Sequence, residues 1–200
     1  MRYIIGIDEV GRGSLAGPLT VAAVCIPRGF RITNVNLGRL RDSKQLTPKR
    51  REAWFHYLKA HPKVRYALAR VYPRKIERIN ISRAANHAAL RAFQRLTESY
   101  NLKPNIRKAY LDGGLYLGNG KSRMTYSAKT VVRGDQKFAA IQAASIIAKV
   151  SRDRFMKRLA ERYPKYGFEI HKGYGTKRHL RAIKKYGPSE AHRLTFIRFS

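Results

Sequence analysis

With 200 residues and 44% apolar side chains, the chain can build one packed core, which excludes a disordered basic tail. Its 43 lysines and arginines against 12 acids leave a formal charge of +31, a field that repels basic partners and selects polyanions: nucleic acid first, an anionic membrane surface second. A single cysteine, Cys25, excludes a disulfide framework and a cysteine-rich zinc site; with no signal-peptide pattern and no apolar run near the ~18 residues of a membrane span, the chain is expected to be cytoplasmic.

The first stretch opens as an apolar, β-branched run, Tyr3-Ile4-Ile5, which predicts a strand buried on both faces. It leads into two adjacent acids, Asp8 and Glu9, and then a Gly11-Arg12-Gly13 turn. Leu19 to Ile26 predicts a second buried strand, broken by Pro27 and Gly29. Residues 31 to 47 are polar and basic, a predicted surface loop that includes Asp42-Ser43-Lys44. Thr47-Pro48 combines an N-cap with proline at the first helical position, and opens a helix to about His61 with Trp54, Phe55 and Leu58 on one face. Val64 to Val71 predicts a third strand, which Pro73 ends. Ser82 to Tyr100 predicts a helix from the spacing of Ala85, Ala88, Ala89, Phe93 and Leu96. Lys108 to Leu111 reads as a short strand leading into Asp112-Gly113-Gly114. A glycine-bearing loop follows from Gly118 to Lys121, then a strand from Thr125 to Val132, ending in Arg133-Gly134-Asp135. The longest helix is expected from Lys137 to Tyr163, with Ala140, Ala143, Ala144, Ile147 and Val150 on a stripe small enough to lie close against a sheet. The remainder is a loop with one or two short basic helices. Strands alternating with helices predict an α/β fold, with a main domain over residues 1–164 and a basic helical appendage over 165–200.

The few acids sort by context. Glu52, Glu98 and Glu161 sit on helices beside basic residues, as solvated faces explain. Asp8, Glu9, Asp112 and Asp135 differ, because each falls where a predicted strand gives way to a turn, and strand ends are where α/β sheets collect ligands. Each has a plainer alternative: Asp135 as a helix N-cap, Asp112 as turn chemistry, and Asp8 and Glu9 on opposite faces of a regular strand. Both of the last pair face one site only if the strand ends or bulges at Asp8. Four carboxylates converging inside a basic protein suit phosphodiester hydrolysis with two bound Mg²⁺ or Mn²⁺, hard ions that prefer oxygen ligands, while lysine and arginine hold the phosphates. The six histidines lack zinc-ligand spacing.

On these residues the chain resembles ribonuclease HII, the type 2 ribonuclease H. The matching pieces run in order: GIDEVGRGSLAGP (6 to 18), DSKQL (42 to 46), INI (79 to 81), LDG (111 to 113), GD (134 to 135), AASIIAKVSRD (143 to 153) and HKGYGT (171 to 176). The resemblance implies a ribonuclease H-like fold, a mixed central sheet flanked by helices with a small helical C-terminal segment. It implies endonucleolytic cleavage of RNA in RNA–DNA hybrids and 5′ of a single ribonucleotide in duplex DNA, leaving 3′-hydroxyl and 5′-phosphate ends. Its metal-ligating carboxylates fall on Asp8, Glu9, Asp112 and Asp135. Its turn that contacts the 2′-hydroxyl falls on Gly11, Arg12 and Gly13, and the tyrosine on that nucleotide is Tyr174, whose alternative is a packed turn residue. Lys44, His171 and Lys172 are expected phosphate contacts, or else a solvated basic loop. Two departures stand out: Gly-Gly-Leu follows Asp112 where the family has an asparagine two residues on, and Glu77 stands where an aspartate is common. Other readings are a second two-metal nuclease of the same superfold, ribonuclease HIII, or a basic binding protein without catalysis. No sliding-clamp-binding tail is evident in RLTFIRFS, and a monomer is expected.

Overall fold

The computed structural model describes residues 2–102, 105–117, 127–134 and 138–198. Its centre is a mixed sheet of five strands, β1 (Tyr3–Val10), β2 (Leu19–Pro27), β5 (Arg65–Val71), β6 (Ile106–Asp112) and β7 (Ser127–Val131), in the order β5-β2-β1-β6-β7. The first strands form antiparallel pairs, β1 with β2 and β2 with β5, whereas β1, β6 and β7 run parallel. β2 is buried at all nine positions, as its continuous apolar run predicts.

Helices cover both faces. On one side α3 (Ile81–Ser99) lays a row of buried alanines (Ala84, Ala85, Ala88, Ala89 and Ala92) against Ile5, Ile7, Val21 and Ala23. On the other, α1 (Pro48–Ala60) and the long α4 (Ala139–Arg162) pack on Ala22, Val24 and Ile26. Small side chains let the long helix come very close. At Gly6 an added Cβ would lie 2.2 Å from the Ala140 carbonyl carbon and 2.4 Å from Ile141 N, so the start of α4 rests directly on β1.

Two local readings change. Pro73 ends β5 but also begins α2 (Pro73–Ile79), where its missing N–H costs nothing at the first helical position. Asn80, at φ +63°, then turns the chain, and its side chain caps α3 by accepting from Arg83 N at 3.0 Å. The expected surface loop over 31–47 contains a small hairpin, β3 (Thr33–Asn34) with β4 (Gly38–Arg39), and carries Asp42 and Ser43 into the interior. The Gly118 to Lys121 loop and the beginnings of the Thr125 strand and the Lys137 helix lie outside the described residues.

The C-terminal segment adds α5 (Phe168–His171) and α6 (Lys177–Tyr186), and forms its own apolar cluster around Met156, Phe168 and Ile183. Inside it buried histidines make a one-directional hydrogen-bond chain. His192 Nδ1 accepts from Ser189 N at 2.9 Å, His192 Nε2 meets His179 Nε2 at 3.1 Å, and His179 Nδ1 donates to the Tyr174 carbonyl at 3.0 Å. Because His192 Nδ1 accepts from an amide it carries no proton, so His192 donates from Nε2 to His179 Nε2, and each ring holds a single proton and is neutral. Burial pushes both pKa values down from 6.5 to about 4, against the pull of their backbone hydrogen bonds.

These packings give two expectations. Gly6→Ala should cost about 1–3 kcal/mol in urea unfolding, since backbone on both sides of the contact has to move. His179 and His192 should stay neutral at pH 6 in histidine side-chain NMR. The unfolded chain takes up protons near pH 6.5 and the folded one does not until about pH 4, so their contribution to stability is full above 6.5 and is lost as pH falls through that window. Titration of either ring above pH 6 would contradict the hydrogen-bond chain.

Candidate active site

The acids gather where β1 outruns its parallel neighbour. β1 pairs with β6 only as far as Ile7 opposite Leu111, but continues against β2 through Asp8 opposite Ala22, Glu9 opposite Val21 and Val10 opposite Thr20. The expected end or bulge at Asp8 is therefore absent: the strand stays regular and the two carboxylates leave on opposite faces. They still share a site because no β6 backbone pairs with β1 beyond Ile7 to separate them. Asp112, the last residue of β6, completes the group; its charge acts on both Asp8 and Glu9.

The electrostatics are unfavourable for the carboxylates alone. Asp8 is 6% exposed, and burial, then the Glu9 and Asp112 charges, raise its pKa well above the usual carboxylate value. A Ser145 hydroxyl from α4 and the Glu9 N–H, at 2.7 Å, only partly offset this. Ser145 in turn meets the Ser43 hydroxyl at 2.7 Å, tying the DSK segment to Asp8. Burial also raises Glu9, against the pull of the Arg12 guanidinium 3.3 Å away. Asp112 Oδ1 accepts from Gly134 N at 2.7 Å. Asp135 lies outside the described residues.

Hard oxygen donors with unmet negative charge, buried at a strand end, suit a small divalent cation. Among the described residues no three such side chains are drawn tightly enough together to hold an ion as they stand. Like charges spread, and two of them are engaged elsewhere, Glu9 by Arg12 and Asp112 by Gly134. The donor chemistry fits such an ion.

The glycines of the adjacent turn serve different ends. Gly11 has φ +86°, and a Cβ there would lie 2.2 Å from Arg152 Nε, so it is glycine to admit that guanidinium. At Gly13 a Cβ would meet nothing within 4 Å, leaving open approach to the backbone. Arg12 bridges from Glu9 to the Ser82 hydroxyl at 3.1 Å, at the start of α3.

Arg152, fully buried on α4, is the hub. It donates to Pro18 O at 2.9 Å, Lys172 O at 2.9 Å, Ser14 Oγ at 2.7 Å and Ala16 O at 3.1 Å. Burial lowers its pKa, but the charge is kept by hydrogen bonds worth about 1.5–3 kcal/mol each. Arg193, also fully buried, holds Gly17 O at 2.9 Å and Arg12 O at 3.0 Å from the C-terminal side. Backbone closes the same seam, with Leu15 N donating to Gly173 O at 2.8 Å. At Gly173, φ +82°, an added Cβ would lie 2.4 Å from Ala16 O.

This seam brings Tyr174 to the turn, its ring over the Arg152 guanidinium at 5.5 Å and near Lys149 at 6.0 Å. Lys172 sits beside it with φ +53°, its ammonium on Glu169 O. Lys44 is exposed on the DSK turn. His171 stands apart: it is buried, with Nε2 donating to Tyr166 O at 2.8 Å and Nδ1 accepting from Gly173 N at 3.2 Å, so both nitrogens hold the turn and neither faces outward. Sequence reasoning does not single out Ser14, Ser82, Ser145, Arg152 or Arg193. Only Arg152 carries a readable signal, seven residues after Ser145 on an otherwise small and aliphatic helix face. Asp153 beside it is paired to Lys149 at 2.8 Å and Arg51 at 3.7 Å, a structural role.

Known proteins share this architecture. A family model described as ribonuclease HII matches residues 5–199. A ribonuclease HII from Caldicellulosiruptor bescii is 41% identical over 197 residues, covering 98% of this chain and 87% of its own. Among solved structures, a chain of the PCNA:RNase HII complex from Archaeoglobus fulgidus aligns with a TM-score of 0.74 at 25% identity, over 98% of this chain and 96% of that one. Bst-RNase HIII in complex with Mn²⁺ aligns with a TM-score of 0.73 at 19% identity, over 97% of this chain and 67% of that one, a likeness of fold. With the family match running nearly end to end and a mixed sheet carrying acids at its strand ends, the chain belongs to the ribonuclease HII family, the type 2 ribonuclease H endonucleases.

Proposed function

We propose that this chain hydrolyses the RNA strand of RNA–DNA hybrids and cuts 5′ of single ribonucleotides in duplex DNA, leaving 3′-hydroxyl and 5′-phosphate ends. The observation that carries the reading is adjacency. Two carboxylates with raised pKa values, Asp8 buried and Glu9 half-buried, lie within a few residues of a turn clamped to Tyr174. A binding protein without catalysis has no use for acids that repel both one another and its ligand.

Asp8, Glu9, Asp112 and Asp135 would hold two divalent cations, Mg²⁺ or Mn²⁺, which when bound supply the charge that activates water and stabilises the leaving oxygen. The chain's own residues do the reading. The open Gly13 backbone offers a donor or acceptor to the 2′-hydroxyl, the one group that marks a ribonucleotide in place. Gly11 and Arg12 fix that turn, through Arg152 below and Glu9 beside it. Tyr174 presents its ring to the same nucleotide, backed by Arg152 and Lys149, whose positive charge also favours phosphate. Lys44 and Lys172 flank the site as phosphate contacts. His171 acts through the turn it braces.

Residues 165–200 complete the substrate site on a catalytic unit of residues 1–164, a division supported by Arg193 reaching back to Gly17 and Arg12. Both halves of the site come from one chain, in keeping with a monomer. Among the described residues no helix is long and apolar enough to cross a membrane, and the single buried Cys25 suits the reducing cytoplasm.

Asp8→Asn is expected to lower Mg²⁺-dependent cleavage of a duplex carrying one ribonucleotide by more than about 100-fold. The same variant should raise the melting temperature of the metal-free protein at neutral pH. A raised folded-state pKa means that the Asp8 carboxyl costs stability progressively as pH rises from the unfolded carboxylate value through the folded one, a cost that asparagine does not carry. Intact turnover would sink the metal-site reading. Tyr174→Ala should reduce kcat/KM at single ribonucleotides by roughly 5- to 100-fold, the range expected for removing one base–aromatic stack. An unchanged rate at subsaturating substrate would reassign Tyr174 to packing.

A further inference from the structure

The carboxylate site accounts for few of the positive charges. A second concentration of them lines a concavity of about 560 Å³ between β5, α2 and α3, formed in part by Arg70, Arg74, Lys75, Arg78, Arg91 and Arg95. No acid lines it among the described residues. The helices present their cations in register, Arg74 with Arg78 on α2 and Arg91 with Arg95 on α3, each pair four residues apart. Like charges at that spacing destabilise a helix, so folding alone does not explain them.

Some of these side chains are anchored. Arg95 Nη1 donates to Leu68 O at 2.8 Å and Lys75 Nζ meets His87 Nε2 at 2.8 Å. Others are not: among the described residues Arg74, Arg78 and Arg91 make no side-chain hydrogen bond or ion pair, and Arg74 and Arg78 are not buried. Arg70 forms part of the β5 wall. Its Nε is buried with no hydrogen-bond partner among the described residues, although its guanidinium stacks on Phe155 at 5.4 Å. Burial, with the nearby Arg158 charge, holds its pKa below the usual arginine value. Phe155 and Arg158 belong to α4, so Arg70 spans the edge of the sheet, and the free cations of the cleft are those on α2 and α3.

The cleft lies at the catalytic end of the sheet. Arg70 and Val10 both pair with Thr20 from its two sides, so their backbones are about two strand spacings, roughly 10 Å, apart. Along α3, Ser82, which holds Arg12, and Arg91 are separated by about 13 Å of helix, roughly four base pairs of duplex. We propose that this cleft is an accessory phosphate-backbone site that grips the nucleic acid flanking the cut. Several cations spread over the cleft match a repeating line of phosphates better than one small anion.

The choice of duplex as ligand rests on the function proposed above, but the test needs no cleavage. Binding of an RNA–DNA hybrid of about 30 base pairs is followed by fluorescence anisotropy without divalent metal, over a range of salt. Arg74→Gln/Arg78→Gln/Arg91→Gln should reduce the slope of log affinity against log salt by about 2 to 3, near 0.9 for each phosphate no longer neutralised. As a control, Arg28→Gln/Arg31→Gln/Lys59→Gln removes the same charge from exposed positions, with Arg28 at the opposite end of the sheet, and should change the slope by less than about 1. Equal changes in both triples would show a diffuse field and overturn the site, as would no change in the first. If inorganic phosphate raises the melting temperature of the wild type, but not of the first triple, while hybrid affinity is indifferent to that triple, the cleft is a small-anion pocket and the proposal is wrong. The double variant Arg74→Gln/Arg78→Gln, which leaves the longer helix untouched, repeats the measurement should the triple fail to fold. Wild-type protein that binds hybrid but never cleaves it would sink the proposed function and leave this site standing.

Discussion

The arrangement depends on a buried guanidinium. Arg152 lies in the middle of α4, on a helix face otherwise small and aliphatic, yet it is satisfied by Pro18, Ala16, Ser14 and the carbonyl of Lys172. Three of these partners belong to the loop after the glycine turn and one to the C-terminal segment. One side chain thereby fixes two parts of the chain far apart in sequence, and Gly11 has no side chain because that guanidinium occupies the space. Removing it would leave buried carbonyls unpaired, a cost of about 1–3 kcal/mol for each group. A carboxylate partner would have neutralised it; carbonyls leave its positive charge available beneath Tyr174.

The opposite condition holds a short way along the same turn. Asp8 is buried and Glu9 half-buried, and burial raises the pKa of each, with only Arg12 and two hydroxyl or amide contacts in relief. A fold that keeps such a group carries instability where cations are to bind, the usual trade between stability and activity. Arg12 shows how the two regimes meet. Its side chain holds Glu9 while its carbonyl is held by Arg193, so the acidic pair and the clamped turn are mechanically one unit. The small alanines of α4 and the bare Gly6 bring Ser145 into the same unit, by letting the helix rest on β1.

Much of this is legible in the chain itself. The alternation of strands and helices, the two-sided burial of β2, the alanine rows of α3 and α4, and the carboxylates Asp8, Glu9 and Asp112 at strand ends follow from local periodicity and from the scarcity of acids. What misleads is equally local. Proline at position 73 reads as a stop, although the same missing N–H suits a helix start. The polar segment around Asp42 reads as solvated, because composition cannot show that Ser43 finds a hydroxyl on a helix a hundred residues away. His171 reads as a phosphate ligand beside Lys172, but its neighbours in space are the carbonyl and amide that occupy both its nitrogens.

The sequence by itself determined the kind of molecule: a polyanion-binding α/β protein with a few costly acids at strand ends and a glycine turn beside them. These are properties of residue type and spacing, which local sterics and hydrophobic burial translate directly into elements. Only the tertiary structure decided how two acids on opposite faces of an unbroken strand reach one site, since that depends on where β6 stops pairing with its neighbour. It alone decided that Arg152 and Arg193 are clamps and that Arg70 borders a basic cleft. An arginine carries the same charge in a loop, on a surface or in a core. What it does is set by which backbone oxygens surround it, and those come from segments that only the folded chain brings together.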